Sequence, residues 1–292
     1  MLLTIKQLQV KYGNQTALQI NSPLGIEEGE RIGVIGSNGA GKSTLVKALL
    51  GLINYEGRIV TDLKPEQMAA HMQSNAYVTT MPVKRVMEMI LDTKIKENKE
   101  LQELIAFFEF EKCLPKRYNA LSGGQKQKFT IIMIMMQKAE LTFYDEVTSG
   151  LDFETRQKLM KKMAEWYRDK KDSLIIVSHY YEELEQLADK ILLLDQGKVI
   201  AFGRQEELFR TYCGNAIFIM DNNPVNSSLV KGFHALKSPG HLIALSCRDK
   251  EEERKLLSIL MDNNVNFKRS NSDIEIMSIN AREQFYAGAP CV

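Results

Sequence analysis

Apolar positions along the chain change their period several times, and each change predicts a change of element. Leu8, Val10 and Tyr12 alternate with polar residues, Gly13 and Asn14 interrupt, and Leu18 and Ile20 resume. This predicts a pair of strands at the edge of a domain. "RIGVIG" (31–36) reads as a short buried strand that runs straight into a glycine-rich loop. "KSTLVKALLG" then has helical spacing and stops at Gly51. Intervals of three or four recur in Val83, Val86, Met87 and Ile90, and again in Leu101, Leu104, Ile105 and Phe108. Two amphipathic helices there predict a small helical subdomain over about residues 83–120.

A methionine-rich apolar helix (129–136), a strand (141–144), a helix carrying Trp166 and a strand (174–177) follow. Strands alternating with helices predict an α/β fold, a parallel sheet covered on both faces. The methionines are expected to pack a core, with no part in metal or redox chemistry. From about Ala216 the pattern changes. "AIFIM", "HLIALSC" and "DIEIMSI" (273–279) are expected as strands, and a helix is expected to start at Asp249. The chain therefore divides into an α/β domain, 1–215, and a small C-terminal α+β domain, 216–292.

Composition narrows the function classes. A formal net charge of +1 offers no electrostatic argument for nucleic acid or an anionic membrane surface. Cys113, Cys213, Cys247 and Cys291 are scattered without C-x-x-C spacing, as expected of reduced cytosolic thiols. The N-terminal apolar residues are broken by Lys6 and Gln7 and read as a strand, with no signal peptide expected. No apolar run approaches the ~18 residues that span a bilayer, so action at a membrane would need a partner.

The glycine-rich loop fits G-x-x-x-x-G-K-[ST] between a predicted strand and a predicted helix. Ser37, Asn38, Gly39, Ala40 and Gly41 offer backbone N–H groups to phosphate oxygens, at a helix start whose partial charge favours anions. Lys42 adds a full charge for the β- and γ-phosphates, Ser43 a hydroxyl for Mg²⁺, and Thr44 continues the contact. The complement is "ELTFYDE". Its strand ends in Asp145, which can hold Mg²⁺ through water, and Glu146 beside it is a candidate general base for an attacking water. His179 directly follows "LIIVS", again at a strand's C-terminal edge, where ligands sit in open α/β sheets.

Together with "LSGGQ" (Leu121, Ser122, Gly123, Gly124, Gln125), "DEVTSGLD" (145–152) and the segment after His179, these residues resemble the nucleotide-binding subunit of an ABC (ATP-binding cassette) transporter. The resemblance covers about residues 1–212, with Val147 where the family usually has proline. It implies a P-loop NTPase of the ABC type: a RecA-like core, an antiparallel β-subdomain and an α-helical subdomain. It implies ATP and Mg²⁺, with Tyr12 stacked on adenine. It also implies two cassettes, identical or not, that sandwich two nucleotides. Ser122, Gly123 and Gly124 would then serve the partner's nucleotide, and Gln125 and Asp152 are also implied in nucleotide binding. The Q-loop glutamine, which contacts Mg²⁺ and the membrane subunit, is placed at Gln73; a competing alignment puts Thr80 there.

By the same resemblance the partner is a separate membrane subunit at the cytoplasmic face of the plasma membrane. Similarity to exporter ATPases with a C-terminal extension implies export of a hydrophobic or amphipathic compound, such as a peptide or antimicrobial. The alternative is an ABC-type ATPase uncoupled from transport, similar to the iron–sulfur cluster assembly ATPase, which lacks the extension.

Overall fold

The computed structural model describes residues 1–72 and 77–288. Ten strands form one sheet: β1 (Leu3–Tyr12), β2 (Gln15–Ile20), β3 (Leu24–Ile26), β4 (Arg31–Ile35), β5 (Glu56–Thr61), β6 (Met68–His71), β7 (Leu141–Asp145), β8 (Ser173–Val177), β9 (Lys190–Asp195) and β10 (Lys198–Arg204). Their order is β3-β1-β2-β10-β9-β4-β8-β7-β6, with β5 also on β1. From β9 to β6 every neighbour is parallel. The strands around β1 are antiparallel. The two regions meet at a single paired position, Lys198 opposite Gln19. β1 and β2 form the expected pair, but β1 is interior, because its ten residues carry β2, β3 and β5 together.

Side-chain alternation explains how the parallel strands are covered. Every residue of β7 and β8 is buried, as the crossover helices of a parallel sheet require. Leu141, Phe143, Ile175, Val177, Leu192 and Leu194 point to one core, with Leu45 and Val46 of α1 (Lys42–Leu49). Tyr144, Leu174, Ile176, Ile191 and Leu193 point to the other. That second core holds residues of α2 (Val83–Ile90), α3 (Lys99–Phe107), α4 (Gly123–Met135), α5 (Phe153–Tyr167) and α6 (Tyr181–Leu187). The helical stretch after residue 83 matches the expected spacing, and the Val83 N–H donates to Lys116 O to close it. Met133 and Met135 of α4 lie in this core, as expected.

After β10 comes α7 (Gln205–Cys213), then β11 (Ala216–Asp221), α8 (Pro224–Leu229), β12 (Ala235–Leu236), β13 (Leu242–Cys247), α9 (Lys250–Asp262), β14 (Phe267–Ser270) and α10 (Ile274–Ala287). Among the described residues, four strands form a second, antiparallel sheet in the order β12-β13-β11-β14, the arrangement of two interleaved split βαβ units. α9 begins where its pattern predicts, with Asp249 as the cap.

Residues 273–279, expected as a strand, instead open α10. Asp273 caps it by accepting the Ile276 N–H at 3.0 Å. The buried set is Ile274, Met277, Ser278 and Ala281, with Ile276 and Asn280, which is helical spacing. Alternation between the two isoleucines covers too few positions to exclude it. Burial pushes the Cys213 and Cys247 thiols up to about 12 and about 11, which keeps both unreactive.

Candidate functional site

The phosphate loop leaves β4 at Gly36 and enters α1 at Lys42. Two glycines allow its path. A Cβ on Gly36 would stand 2.3 Å from the Leu194 carbonyl oxygen, and Gly41 has a φ of +101°. Lys42 is 6% exposed and folds back over the loop. Its Nζ donates to Gly36 O at 2.8 Å and to Ser37 O at 3.1 Å. Burial holds this ammonium below the usual lysine range, against the raising pull of Glu146 and Asp145.

Asp145 ends β7 and is 1% exposed. Among the described residues, neither carboxylate oxygen has a hydrogen-bond partner of normal geometry. Burial raises its pKa, and the neighbouring Ser43 hydroxyl is the largest opposing influence. A buried carboxylate with vacant lone pairs, beside a serine hydroxyl, is a donor set that suits a hard divalent cation such as Mg²⁺.

Glu146 takes a φ of +52°, rare for a residue with a Cβ, and its N–H donates to Val177 O at 2.9 Å. This bond extends the pairing of β7 with β8 by one residue. Glu146 Oε1 then lies 2.6 Å from His179 Nε2. A cavity of about 420 Å³ opens here, lined by Ala17, residues 38–44, Glu146 and His179. The structure thus brings together the loop, Lys42, Ser43, Thr44, Asp145, Glu146 and His179.

Other expected residues stand apart from this cavity. Ser122 caps α4, accepting the Gln125 N–H at 3.3 Å, while Gln125 Oε1 accepts the Ser122 N–H at 3.1 Å. Gly123 and Gly124 open the helix, and a Cβ on Gly124 would press on Thr155 at 2.9 Å. Asp152 caps α5 and accepts from the Thr155 N–H and hydroxyl. Those bonds hold its carboxyl below the usual range. Tyr12 is 53% exposed at the end of β1. Gln73 lies outside the described residues, and Thr80 is exposed just ahead of α2.

Three residues with no sequence signal support the site. Glu183, 2% exposed, accepts from Thr148 Oγ1 at 2.7 Å and Ser178 Oγ at 2.6 Å, with Arg156 Nε at 3.8 Å. It ties the segment after Glu146 to the residue before His179. Burial raises the Glu183 pKa, and Ser178, Thr148 and Arg156 oppose that rise. His71 Nε2 lies 2.8 Å from Gln127 Oε1, which joins the end of β6 to α4. Burial lowers the His71 pKa. Asp195, at the end of β9, accepts from Ser37 Oγ at 3.1 Å.

A family model described as "ABC transporter" matches residues 21–149. The chain is 31% identical over 232 residues to the methionine import ATP-binding protein MetN of Clostridium tetani, covering 71% of each chain. It is 25% identical over 252 residues to the linearmycin resistance ATP-binding protein LnrL of Bacillus subtilis, covering 80% of this chain and 79% of that one. Among solved structures it is similar to cbiO1 from Clostridium perfringens, part of the ABC transporter complex cbiONQ. That match has a TM-score of 0.61 at 25% identity and covers 71% of this chain and 90% of the other.

Proposed function

This chain belongs to the ABC transporter ATP-binding family, and we propose that its ATPase cycle runs in a two-cassette sandwich that drives a separate membrane subunit. It is an ATP-binding, ATP-hydrolysing cassette. One observation carries the assignment of residues. Lys42, Asp145, Glu146 and His179 converge from the ends of three parallel strands behind one glycine-rich loop.

In this reading the loop amides and Lys42 hold the β- and γ-phosphates of ATP, and Tyr12 stacks on adenine. Asp145 and Ser43, with Gln73, hold Mg²⁺, which supplies charge neutralisation on the phosphate oxygens when bound. Water attacks the γ-phosphorus, the bond to the β–γ bridging oxygen breaks, and Glu146 accepts the proton of the water. His179 orients Glu146 and donates to the γ-phosphate. Lys42 leaves the carbonyls of Gly36 and Ser37 to meet the charge that develops on ADP.

Ser122, Gly123, Gly124, Gln125 and Asp152 act in trans on the partner's nucleotide. Their absence from the lining of this chain's own cavity supports that role. Losing the γ-phosphate removes the anion shared across the interface, so the closed pair is favoured by ATP over ADP. Among the described residues no helix is long and apolar enough to cross a membrane. Attachment at the cytoplasmic face through the membrane subunit is part of this proposal.

Export of a hydrophobic or amphipathic compound, such as a peptide or antimicrobial, is the direction favoured here. The match to a linearmycin resistance protein over 80% of the chain supports it. The higher identity to a methionine import protein favours a second reading, import. Inside-out vesicles carrying the chain and its co-purifying membrane protein separate the two. ATP-dependent accumulation inside them establishes export, and ATP-dependent loss of preloaded compound establishes import. Recovery of iron–sulfur scaffold proteins in place of a membrane protein would establish the uncoupled ATPase instead.

A further inference from the structure

The C-terminal helix reaches the phosphate loop. Asp195 closes β9, is 8% exposed, and uses both carboxylate oxygens. Oδ1 accepts from Ser37 Oγ at 3.1 Å, and Oδ2 accepts from the Tyr286 hydroxyl of α10 at 2.8 Å. Ser37 is also one of the two carbonyl partners of Lys42 Nζ. Residues on both sides of Asp195 are pressed on the same loop. The Gly197 N–H donates to Ala40 O at 3.2 Å, and Leu194 O fills the space a Cβ on Gly36 would need.

The opposite end of α10 is tied to the other wall of the site. The Ile274 N–H donates to Glu185 Oε1 of α6 at 3.1 Å. α6 begins two residues after His179. α10 therefore runs as a strut of about 21 Å between the histidine helix and the wall of the phosphate loop.

We infer that Tyr286 is a positioning residue for nucleotide binding, acting through Asp195 on Ser37, and that it couples the C-terminal unit to the loop. The inference rests on the ATP reading of that loop. With the Tyr286 hydroxyl in place, Asp195 is fixed, Ser37 keeps one orientation, and the carbonyl that parks Lys42 is preset. Without it, one buried carboxylate oxygen loses its donor, and Asp195 and Ser37 gain alternatives that a nucleotide must remove on binding. Coupling is reciprocal, so bound nucleotide stabilises the last turn of α10 by the same factor.

The test uses the full chain and ATP itself. Tyr286→Phe keeps the ring and removes only the hydroxyl. It is expected to raise KM for ATP about fivefold while kcat stays within about twofold, a split that general loosening of the fold would not produce. Asp195→Asn is expected to shift KM in the same direction, and the double variant to add nothing further, because both act on one path. Hydrogen exchange on the unmutated chain gives a second readout, in which ADP slows the amides of the last turn of α10. Wild-type ATP binding with an unchanged KM in Tyr286→Phe, or additive shifts in the double variant, would overturn this inference alone. Failure of the wild-type chain to bind ATP would instead overturn the nucleotide reading and the inference with it.

Discussion

His179 Nε2 stands 2.6 Å from Glu146 Oε1, so a residue just beyond the end of β8 meets the first residue beyond β7. The contact sets the orientation of the Glu146 carboxylate relative to the His179 ring. The proposed base and the residue proposed to touch the γ-phosphate therefore lie against each other.

Replacing Glu146 by glutamine keeps the size and one acceptor but removes the base. Hydrolysis is expected to fall by about 10²–10⁴, with ATP binding retained. In size-exclusion chromatography with ATP, this variant elutes as a stable dimer in the proposed cycle. A variant that stays monomeric with ATP, or keeps wild-type turnover, would remove the support for the sandwich and for the base.

Ser122 is exposed and caps α4, so Ser122→Arg places a bulky cation at the proposed trans site while sparing this chain's own loop. The expected outcome is loss of turnover with unchanged binding of ATP to the single subunit. Loss of the cap itself costs ~1 kcal/mol of helix stability. A melting curve distinguishes that modest effect from unfolding. Turnover at the wild-type rate would end the in-trans role.

Asp145 is buried with both oxygens lacking partners among the described residues, which costs stability until a cation arrives. Asp145→Asn is expected to stabilise the metal-free, nucleotide-free chain by ~1 kcal/mol, a rise in Tm of about 2–4 °C, while abolishing Mg²⁺-dependent hydrolysis. Calorimetry with EDTA measures the first effect. An Asn variant that melts below wild type in EDTA would show that the carboxylate is structural.

Glu183 supplies a pH test, since burial lifts its pKa above the ordinary 4.5. The folded chain holds that proton more tightly than the unfolded chain does. Its contribution to stability is therefore complete below pH 4.5 and is lost as pH rises through the folded value. Glu183→Gln is expected to flatten the decline in stability over that window. Urea midpoints from about pH 5 to about pH 8 give the two slopes. Parallel slopes for wild type and variant would refute the assignment.

The phosphate loop and the carboxylates of β7 are legible in the sequence because their chemistry requires particular residue types at fixed separations. Gly36 and Gly41 are there for contacts and a φ that no other residue accepts, so they stand out of any background. Glu183 is different. It lies in "YYEELEQ" beside an exposed Glu182, and nothing in that run separates a solvated glutamate from one held by Thr148 and Ser178. Thr148 lies 35 residues from Glu183, and the two meet only when β7 and β8 lie side by side. Asp195 and Tyr286 are hidden for the same reason, and Tyr286 sits in a stretch whose opening residues alternate like a strand. Short alternation is a weak signal where a helix is buried on several sides, as α10 is at Ile274, Ile276 and Met277.

The single paired position between Lys198 and Gln19 gives the large sheet a crease. Elsewhere its strands are laced along their length, whereas here the backbone pairing of wing to core is little more than this pair, and a shared apolar core that includes Leu18, Ile20, Val34 and Leu194 holds the two together. The phosphate loop lies on that crease, with Gly41 wedged between Ala17 O and Gly197 Cα. The cavity has Ala17 on the wing side and Lys42 on the core side. A nucleotide seated there would touch both sides of the fold line at once.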